Sequence, residues 1–122
     1  MLRILHLEDS EEDAYLVKQA IEAEGINAVI EQARNRQQFI SALEHGDVNV
    51  IISDSGVPEL DGLSALKMVR QKYPGIQFIY LSGQKNPKLI KASIDAGAND
   101  YISKSELPKL TALLRRESRR LE

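Results

Sequence analysis

Acidic residues stand at two points of the chain where an apolar run ends. Glu8 and Asp9 follow the apolar segment 3–7, and Asp54 follows the apolar segment 48–53. Carboxylates that are brought together repel one another unless protons or a cation intervene. Mg²⁺ prefers such oxygen ligands and usually binds one or two carboxylates together with waters and a phosphate. A carboxylate can also act as a nucleophile and form an aspartyl phosphate.

Two later segments carry groups that complement a phosphate. Ser82-Gly83 follows the apolar run 76–81, and Lys104 follows the short run 99–103. Catalysis of phosphoryl transfer depends largely on positioning and on neutralising charge at the phosphoryl oxygens. A hydroxyl, a backbone N–H and an ammonium group supply what this requires. The residue types therefore predict phosphoryl-transfer chemistry, provided that the fold gathers them.

Five short apolar runs alternate with segments of helical periodicity, and this pattern predicts the fold. The runs are residues 3–7, 26–33, 48–53, 76–81 and 99–103. The alternation is typical of an α/β fold with a parallel sheet and helices on both faces. The flavodoxin-like, doubly wound order 2-1-3-4-5 suits five strands and five helices. In that order the carboxyl ends of strands one, three, four and five are neighbours.

Length and composition narrow the function class. The 122 residues suit one domain, 1–122, and the net charge of -2 argues against direct nucleic-acid binding. No apolar run approaches the roughly 20 residues that a membrane-spanning helix needs, so we expect no membrane insertion. With zero cysteines, disulfides and thiolate metal sites are excluded, and a cytoplasmic location is expected.

The combined pattern resembles the receiver domain of two-component response regulators, the CheY-like superfamily. The resemblance covers essentially the whole chain and is carried by Glu8-Asp9, Asp54, Pro58, Asp61-Gly62, Ser82-Gly83, Tyr101 and Lys104. It implies a signalling domain in a phosphorelay rather than a separate enzyme, with self-catalysed phosphorylation and dephosphorylation only.

The resemblance assigns a role to each matching position. Asp54 would be the phosphoacceptor, and the donor would be a phosphohistidine of a histidine kinase or of a histidine phosphotransfer protein. Mg²⁺ or Mn²⁺ would be held by Glu8, Asp9, Asp54 and the backbone carbonyl of Gly56.

The remaining positions would bind the phosphoryl group and transmit its presence. Ser82, Gly83 and Lys104 would contact its oxygens. Movement of Ser82 would be coupled to the rotamer of Tyr101, which would switch a protein-interaction face. That face would act on a downstream protein or on a covalently linked output domain.

Two positions depart from the family pattern. Ser105 stands where proline most often follows the lysine, and a cis bond before a non-proline residue costs about 2.5–4 kcal/mol. We therefore predict a trans Lys104–Ser105 bond. Gly56 has no side chain to position a hydrolytic water, although Gln84 could do so instead. The lifetime of the phosphorylated state is left open.

Other residues have structural interpretations. Asp61 is expected to cap the third helix, His6 to be a packed or edge residue of the first strand, and His45 to lie at the surface. The arginine pairs near the carboxyl end are expected to form a solvated helix face.

The last helix, about residues 106–121, carries Leu107, Leu110, Leu114 and Leu121 at heptad-like spacing. This spacing is compatible with continuation into a linker or coiled coil of a longer protein, such as a hybrid histidine kinase, or with a dimer through the last helices. A stand-alone receiver that acts through protein contacts is an equal alternative.

Three rival functions remain. A phosphohydrolase that forms an aspartyl phosphate normally has a second aspartate two residues after the nucleophile, where this chain has Gly56. A flavodoxin-like electron carrier needs a hydroxyl- and glycine-rich loop after the first strand, but residues 8–12 are mostly acidic and would repel a phosphate. A degenerate receiver that binds partners without phosphorylation is the third alternative.

Overall fold

A computed structural model describes residues 1–83 and 86–122, and its elements alternate between strand and helix along the chain. The strands are β1 (Leu2–Leu7), β2 (Ala28–Ala33), β3 (Val50–Ser53), β4 (Gly56–Val57), β5 (Leu60–Asp61), β6 (Gln77–Ser82) and β7 (Asp100–Ser103). The helices are α1 (Glu11–Ala23), α2 (Arg36–His45), α3 (Gly62–Lys72), α4 (Pro87–Asp95) and α5 (Leu107–Arg120).

The main sheet has five parallel strands in the order β2-β1-β3-β6-β7. This is the predicted order 2-1-3-4-5 once the small β4–β5 pair is set aside, and the predicted fold class is confirmed. The observed bounds differ from the predicted ones by one or two residues. The second and third strands are shorter at their amino ends than the apolar runs suggested, because residues 26–27 and 48–49 lie in connecting loops.

The segment after β3 forms a second, two-stranded sheet. β4 and β5 form a two-stranded antiparallel ladder, in which Gly56 is paired with Asp61 and Val57 with Leu60. Glu59 turns the chain between them with φ of 70°, the left-handed region that non-glycine residues seldom adopt. Strands of two residues are too short to produce a periodic pattern, which is why they are not among the five apolar runs.

Apolar side chains fill both faces of the sheet, as expected for parallel strands buried on each side. On one face, Val17 and Ile21 of α1 pack with Leu110 and Leu114 of α5. On the other face, α2 and α3 cover the sheet, with Phe39 and Leu66 fully buried. The alternation of side chains along each strand assigns them to these two clusters.

Most of the carboxyl-terminal leucines pack into the core of the domain. Leu110 and Leu114 are each 0% exposed and belong to the core, and Leu107 packs against it. Leu121 follows the last turn of α5 and is 42% exposed. Three of the four leucines are thus used within the domain. Arg115 is not merely solvated, since its guanidinium lies 3.3 Å from the carboxylate of Glu24 at the end of α1.

Over the described ranges 1–83 and 86–122, none of the helices has both the length and the apolar character that spanning a membrane requires.

Candidate functional site

Three carboxylates meet at the carboxyl edge of the sheet because of the register between β1 and β3. Leu7 is paired with Ser53, so the residues that follow them are neighbours. The backbone N–H of Asp54 donates to the carbonyl of Leu7 at 3.0 Å. Ligand oxygens of Glu8, Asp9 and Asp54 lie within 4.8 Å of one another. The predicted acidic cluster is therefore present in the fold.

The three acids differ in exposure. The side chain of Glu8 is 1% exposed, that of Asp54 is 17% exposed, and Asp9 lies at the surface. Burial raises the pKa of Glu8, the hydrogen bond from Lys104 lowers it, and the nearby charge of Asp54 raises it again, so that the net direction is upward. A buried carboxylate in this position needs a cation close by to remain ionised.

The donor set fits a hard divalent cation. Mg²⁺ and Mn²⁺ accept carboxylate and carbonyl oxygens and keep waters where the protein supplies few ligands. An exposed carboxylate and a partly exposed one, beside a buried one, offer such a set. Gly56 begins β4 two residues after Asp54, which places it beside the cluster in the chain.

Lys104 reaches the acidic cluster from the far strand of the sheet. Ser103 is paired with Ser82, and the backbone N–H of Lys104 donates to the carbonyl of Ser82 at 2.8 Å. Its Nζ lies 3.0 Å from Glu8 Oε1 and 3.3 Å from Asp54 Oδ1. The ammonium group of Lys104 therefore lies within contact distance of Asp54, the predicted nucleophile.

A third carboxylate, that of Asp13, also contacts Lys104, with Oδ2 at 2.6 Å from Nζ. Burial by itself would lower the pKa of Lys104, but the hydrogen bonds to Asp13 and Glu8 and the charges of Asp54 and Glu8 raise it above its ordinary value. The ammonium is accordingly charged across the physiological range.

The Lys104–Ser105 peptide bond is trans, as predicted from the absence of proline. The loop is held instead by side-chain hydrogen bonds, because Ser103 Oγ lies 2.9 Å from Ser105 Oγ and accepts the backbone N–H of Ser105 at 3.3 Å.

Ser82 and Gly83 lie at the end of β6, between the strands that carry Asp54 and Lys104. Ser82 is 3% exposed. A Cβ built on Gly83 would lie 4.0 Å from Cδ of Lys104, so the two residues are adjacent. The position of Gln84, proposed to orient a water, lies outside the described residues.

Tyr101, the predicted switch residue, lies in β7 and is half-buried. Its ring stacks on that of Tyr80, with centroids 5.5 Å apart and planes inclined by 12°. Tyr80 is 0% exposed, and its hydroxyl has no hydrogen-bond partner among the described residues. Burial, followed by the charge of Asp61, raises the pKa of Tyr80. The contact therefore joins a half-buried aromatic ring to a fully buried one.

Asp61 has the structural role that the sequence predicted. It is the N-cap of α3, and its Oδ1 accepts the backbone N–H of Ser64 at 2.8 Å. This hydrogen bond and the one from the Ser64 hydroxyl lower the pKa of Asp61. His45 is exposed, also as predicted.

Two contacts and one buried side chain go beyond what the sequence pattern predicts. The contacts are that of Asp13 with Lys104 and the stacking of Tyr80 on Tyr101. His6 was expected to be packed, and it is 1% exposed, but neither ring nitrogen has a partner among the described residues. Burial, followed by the charge of Lys104, lowers the pKa of His6 to about 4, so the ring is neutral at neutral pH.

Comparison with known proteins identifies a family and several relatives. The family model described as "Response regulator receiver domain" matches residues 4–115. A protein-glutamate methylesterase/protein-glutamine glutaminase from Nitrobacter winogradskyi is 33% identical over 107 residues, which are 86% of this chain and 25% of that protein. A chemotaxis protein CheY homolog from Campylobacter jejuni is 26% identical over 89% of this chain and 85% of its own length.

Solved structures of receiver domains are similar to this chain in fold. The signal receiver domain of an HD domain-containing protein from Pseudomonas fluorescens has a TM-score of 0.84 with 26% identity, covering 98% of this chain and 94% of that one. The receiver domain of the Francisella response regulator 1452 has a TM-score of 0.87 with 22% identity, covering all of both chains, and shows the shared fold.

The chain spans only about a quarter of the length of the methylesterase and NtrX-like relatives that it matches. The family match extends over nearly all of this sequence, from within β1 to within α5, and includes every strand that contributes to the acidic edge of the sheet. The chain belongs to the response regulator receiver domains of two-component signalling systems.

Proposed function

We propose that Asp54 accepts a phosphoryl group from a phosphohistidine of a histidine kinase or histidine phosphotransfer protein. The observation that carries the proposal is the contact of Asp54 with Lys104 at 3.3 Å inside a cluster that also holds Glu8 and Asp9. Formation of an acyl phosphate requires a nucleophile, a positioned ammonium group and acidic ligands for a metal ion. Asp54 and Lys104 supply the first two, and Glu8 and Asp9 supply further acidic groups.

In the proposed reaction an oxygen of the Asp54 carboxylate attacks phosphorus, and the bond from phosphorus to the donor imidazole nitrogen breaks. The leaving imidazole keeps the electron pair of that bond and takes a proton from solvent. Lys104 binds a phosphoryl oxygen by its ammonium, Ser82 by its hydroxyl and Gly83 by its backbone N–H. These donors stabilise negative charge where it develops during transfer.

Glu8, Asp9, Asp54 and the backbone carbonyl of Gly56 are the residues that would hold Mg²⁺ or Mn²⁺. A bound divalent ion supplies neutralisation of the charge on the phosphoryl oxygens. The buried carboxylate of Glu8 and the mutual proximity of the three acids support this assignment.

The output is proposed to pass through Ser82 and Tyr101 to the surface near β7. The stacking of Tyr101 on Tyr80 supports this assignment, since a change in either ring position requires the other to repack. The receiving partner is a downstream protein or a linked output domain, and the place of action is the cytoplasm. A longer protein that continues beyond α5, and a dimer through the last helices, belong to the same proposal.

The test uses the whole chain with acetyl phosphate as the phosphodonor and intact-mass measurement as the readout. We expect a gain of one phosphoryl group that requires Mg²⁺ and is abolished by EDTA. Asp54→Asn removes the gain, because the amide is a poor nucleophile. Asp47→Asn is the matched control, since this exposed aspartate lies in the loop after α2 and its variant keeps the full gain.

A mass gain that persists in Asp54→Asn would contradict the assignment of the phosphoacceptor. The absence of any mass gain, with acetyl phosphate and with a phosphohistidine donor, would contradict the proposal. It would support the alternative of a receiver that binds its partners without phosphorylation.

A further inference from the structure

Among the three carboxylates that contact Lys104 in the described part of the chain, Asp13 makes the shortest contact. Its Oδ2 lies 2.6 Å from Nζ, compared with 3.0 Å for Glu8 and 3.3 Å for Asp54. The two side chains come from positions 91 residues apart, one in the first turn of α1 and the other after β7. The pair is partly open to solvent, with Asp13 36% and Lys104 24% exposed.

The backbone of Asp13 is held in place by the helix cap. Its N–H donates to Oγ of Ser10, the N-cap of α1, at 3.2 Å. The carboxylate therefore projects from a fixed turn towards Lys104, and the contact does not depend on a mobile loop. A carboxylate in this first turn is also favoured by the helix dipole.

The other carboxylates around Lys104 have separate roles in the proposed function. Asp54 is converted to an acyl phosphate, and Glu8 is a proposed metal ligand. Asp13 is neither the nucleophile nor part of the acidic group Glu8-Asp9-Asp54. Its negative charge is consequently unchanged when the phosphoryl group arrives.

An ammonium group has three N–H donors, and three carboxylates already lie around this one. A phosphoryl oxygen that binds Lys104 must therefore displace or share one of these contacts. We infer that Asp13 is a positioning residue that competes with the phosphoryl group for Lys104, and so restrains phosphorylation of Asp54. This inference rests on the proposed function and names a regulator of the same site.

The direct test compares Asp13→Asn with wild type, using the rate of phosphorylation by acetyl phosphate at saturating Mg²⁺ and the affinity for trifluoroberyllate, an analogue of the phosphoryl group. Because a partly exposed ion pair contributes only modestly, we expect both quantities to rise about two- to fivefold. Thermal melting verifies that each variant is folded.

Two controls separate competition from other effects. Glu12→Gln removes the same charge from the same helical turn at an exposed neighbouring position, and we expect both the rate and the affinity to stay close to the wild-type values. Asp13→Glu keeps a carboxylate within reach of Lys104 and should return both values towards wild type. A purely structural role of Asp13 would give no such pattern.

An equal rise in Asp13→Asn and Glu12→Gln would show a long-range charge effect and overturn the inference. No rise in Asp13→Asn, in a protein whose wild type is phosphorylated on Asp54, would overturn the inference alone. A wild type that no donor phosphorylates would overturn the proposed function and the inference with it.

Discussion

The space around Gly62 is limited by two neighbours that cannot easily move. A Cβ at this position would lie 2.0 Å from the hydroxyl oxygen of Tyr80 and 2.8 Å from the backbone carbonyl of Asp54. Tyr80 is fully buried and stacked on Tyr101, so its ring has no free volume to enter. The glycine thus permits close packing of the start of α3 against Tyr80 of β6 and the backbone of Asp54.

We predict that Gly62→Ala destabilises the protein by about 1–3 kcal/mol, the usual cost of overpacking a well-packed site. The cost exceeds the gain in helix propensity from glycine to alanine, which is at most about 1 kcal/mol. Urea unfolding followed by circular dichroism measures the change in the free energy of unfolding.

The control is Gly75→Ala, where a Cβ would meet no heavy atom within 4 Å. This substitution should be neutral or stabilise by up to about 1 kcal/mol, through the lower entropy of the unfolded chain. The double variant with Tyr80→Leu should recover part of the loss at Gly62. Equal stability of Gly62→Ala and Gly75→Ala would refute the packing explanation.

At the scale of the element, α3 depends on Asp61 for its beginning. The carboxylate accepts the backbone N–H of Ser64 through one oxygen and its hydroxyl through the other, each at 2.8 Å. These bonds lower the pKa of Asp61 below its ordinary value of 3.8. The folded protein therefore binds this proton less readily than the unfolded chain, and the capping contribution is fully present above pH 3.8.

We predict that Asp61→Ala lowers the free energy of unfolding by about 1 kcal/mol at pH 7, the typical value of a helix N-cap. As the pH falls through the lowered pKa of Asp61, wild type loses the contribution of the charged cap, so the difference between the two proteins shrinks. Urea unfolding of both proteins at pH 7 and in steps below pH 4 measures this difference.

Asp61→Asn is the matched control, because an amide oxygen still accepts the N–H of Ser64 but does not titrate. Its stability relative to Asp61→Ala should stay constant across the same pH range. A difference between wild type and Asp61→Ala that is independent of pH would contradict the role of the charged cap.

At the scale of the molecule, α5 completes the core on one side of the sheet. Leu110 and Leu114 lie in the same buried cluster as Ile4, Ile52 and other side chains of the central strands. Arg115 joins α5 to the end of α1, with its guanidinium donating to the carbonyl oxygen of Glu24 at 3.2 Å. The helix is thus an integral part of the domain up to this turn, whereas Leu121, after the end of α5, is 42% exposed.

We predict that Leu114→Ala lowers the free energy of unfolding by about 2–5 kcal/mol, as large-to-small changes in a core do. Leu121→Ala should change it by less than about 0.5 kcal/mol, since an exposed side chain leaves no cavity. Equal destabilisation by the two substitutions would contradict the assignment of Leu114 to the core.

Sedimentation of both variants tests the proposed dimer. If the last helices form a dimer, Leu121→Ala should weaken self-association without loss of monomer stability.

The acidic edge of the sheet could be predicted because it depends on chain order alone. Alternating strands and helices imply parallel strands, and parallel strands end at one edge, so Glu8, Asp54 and Lys104 had to approach one another. The cap at Asp61 was predictable for a similar reason, since it depends on residues three positions apart. The trans bond before Ser105 followed from the peptide chemistry of a non-proline residue.

The remaining features depend on distances that no local pattern encodes. The contact between Asp13 and Lys104 joins residues 91 positions apart and requires the packing of α1 beside the end of β7. The stacking of Tyr80 on Tyr101 depends on the side-chain rotamers that fit a filled core. The lack of a hydrogen-bond partner for the His6 ring among the described residues depends on how α1 packs against β1. Sequence by itself determined which groups gather at the edge of the sheet. Tertiary packing decided which carboxylate holds the lysine most closely, because that choice rests on ångström differences between neighbours.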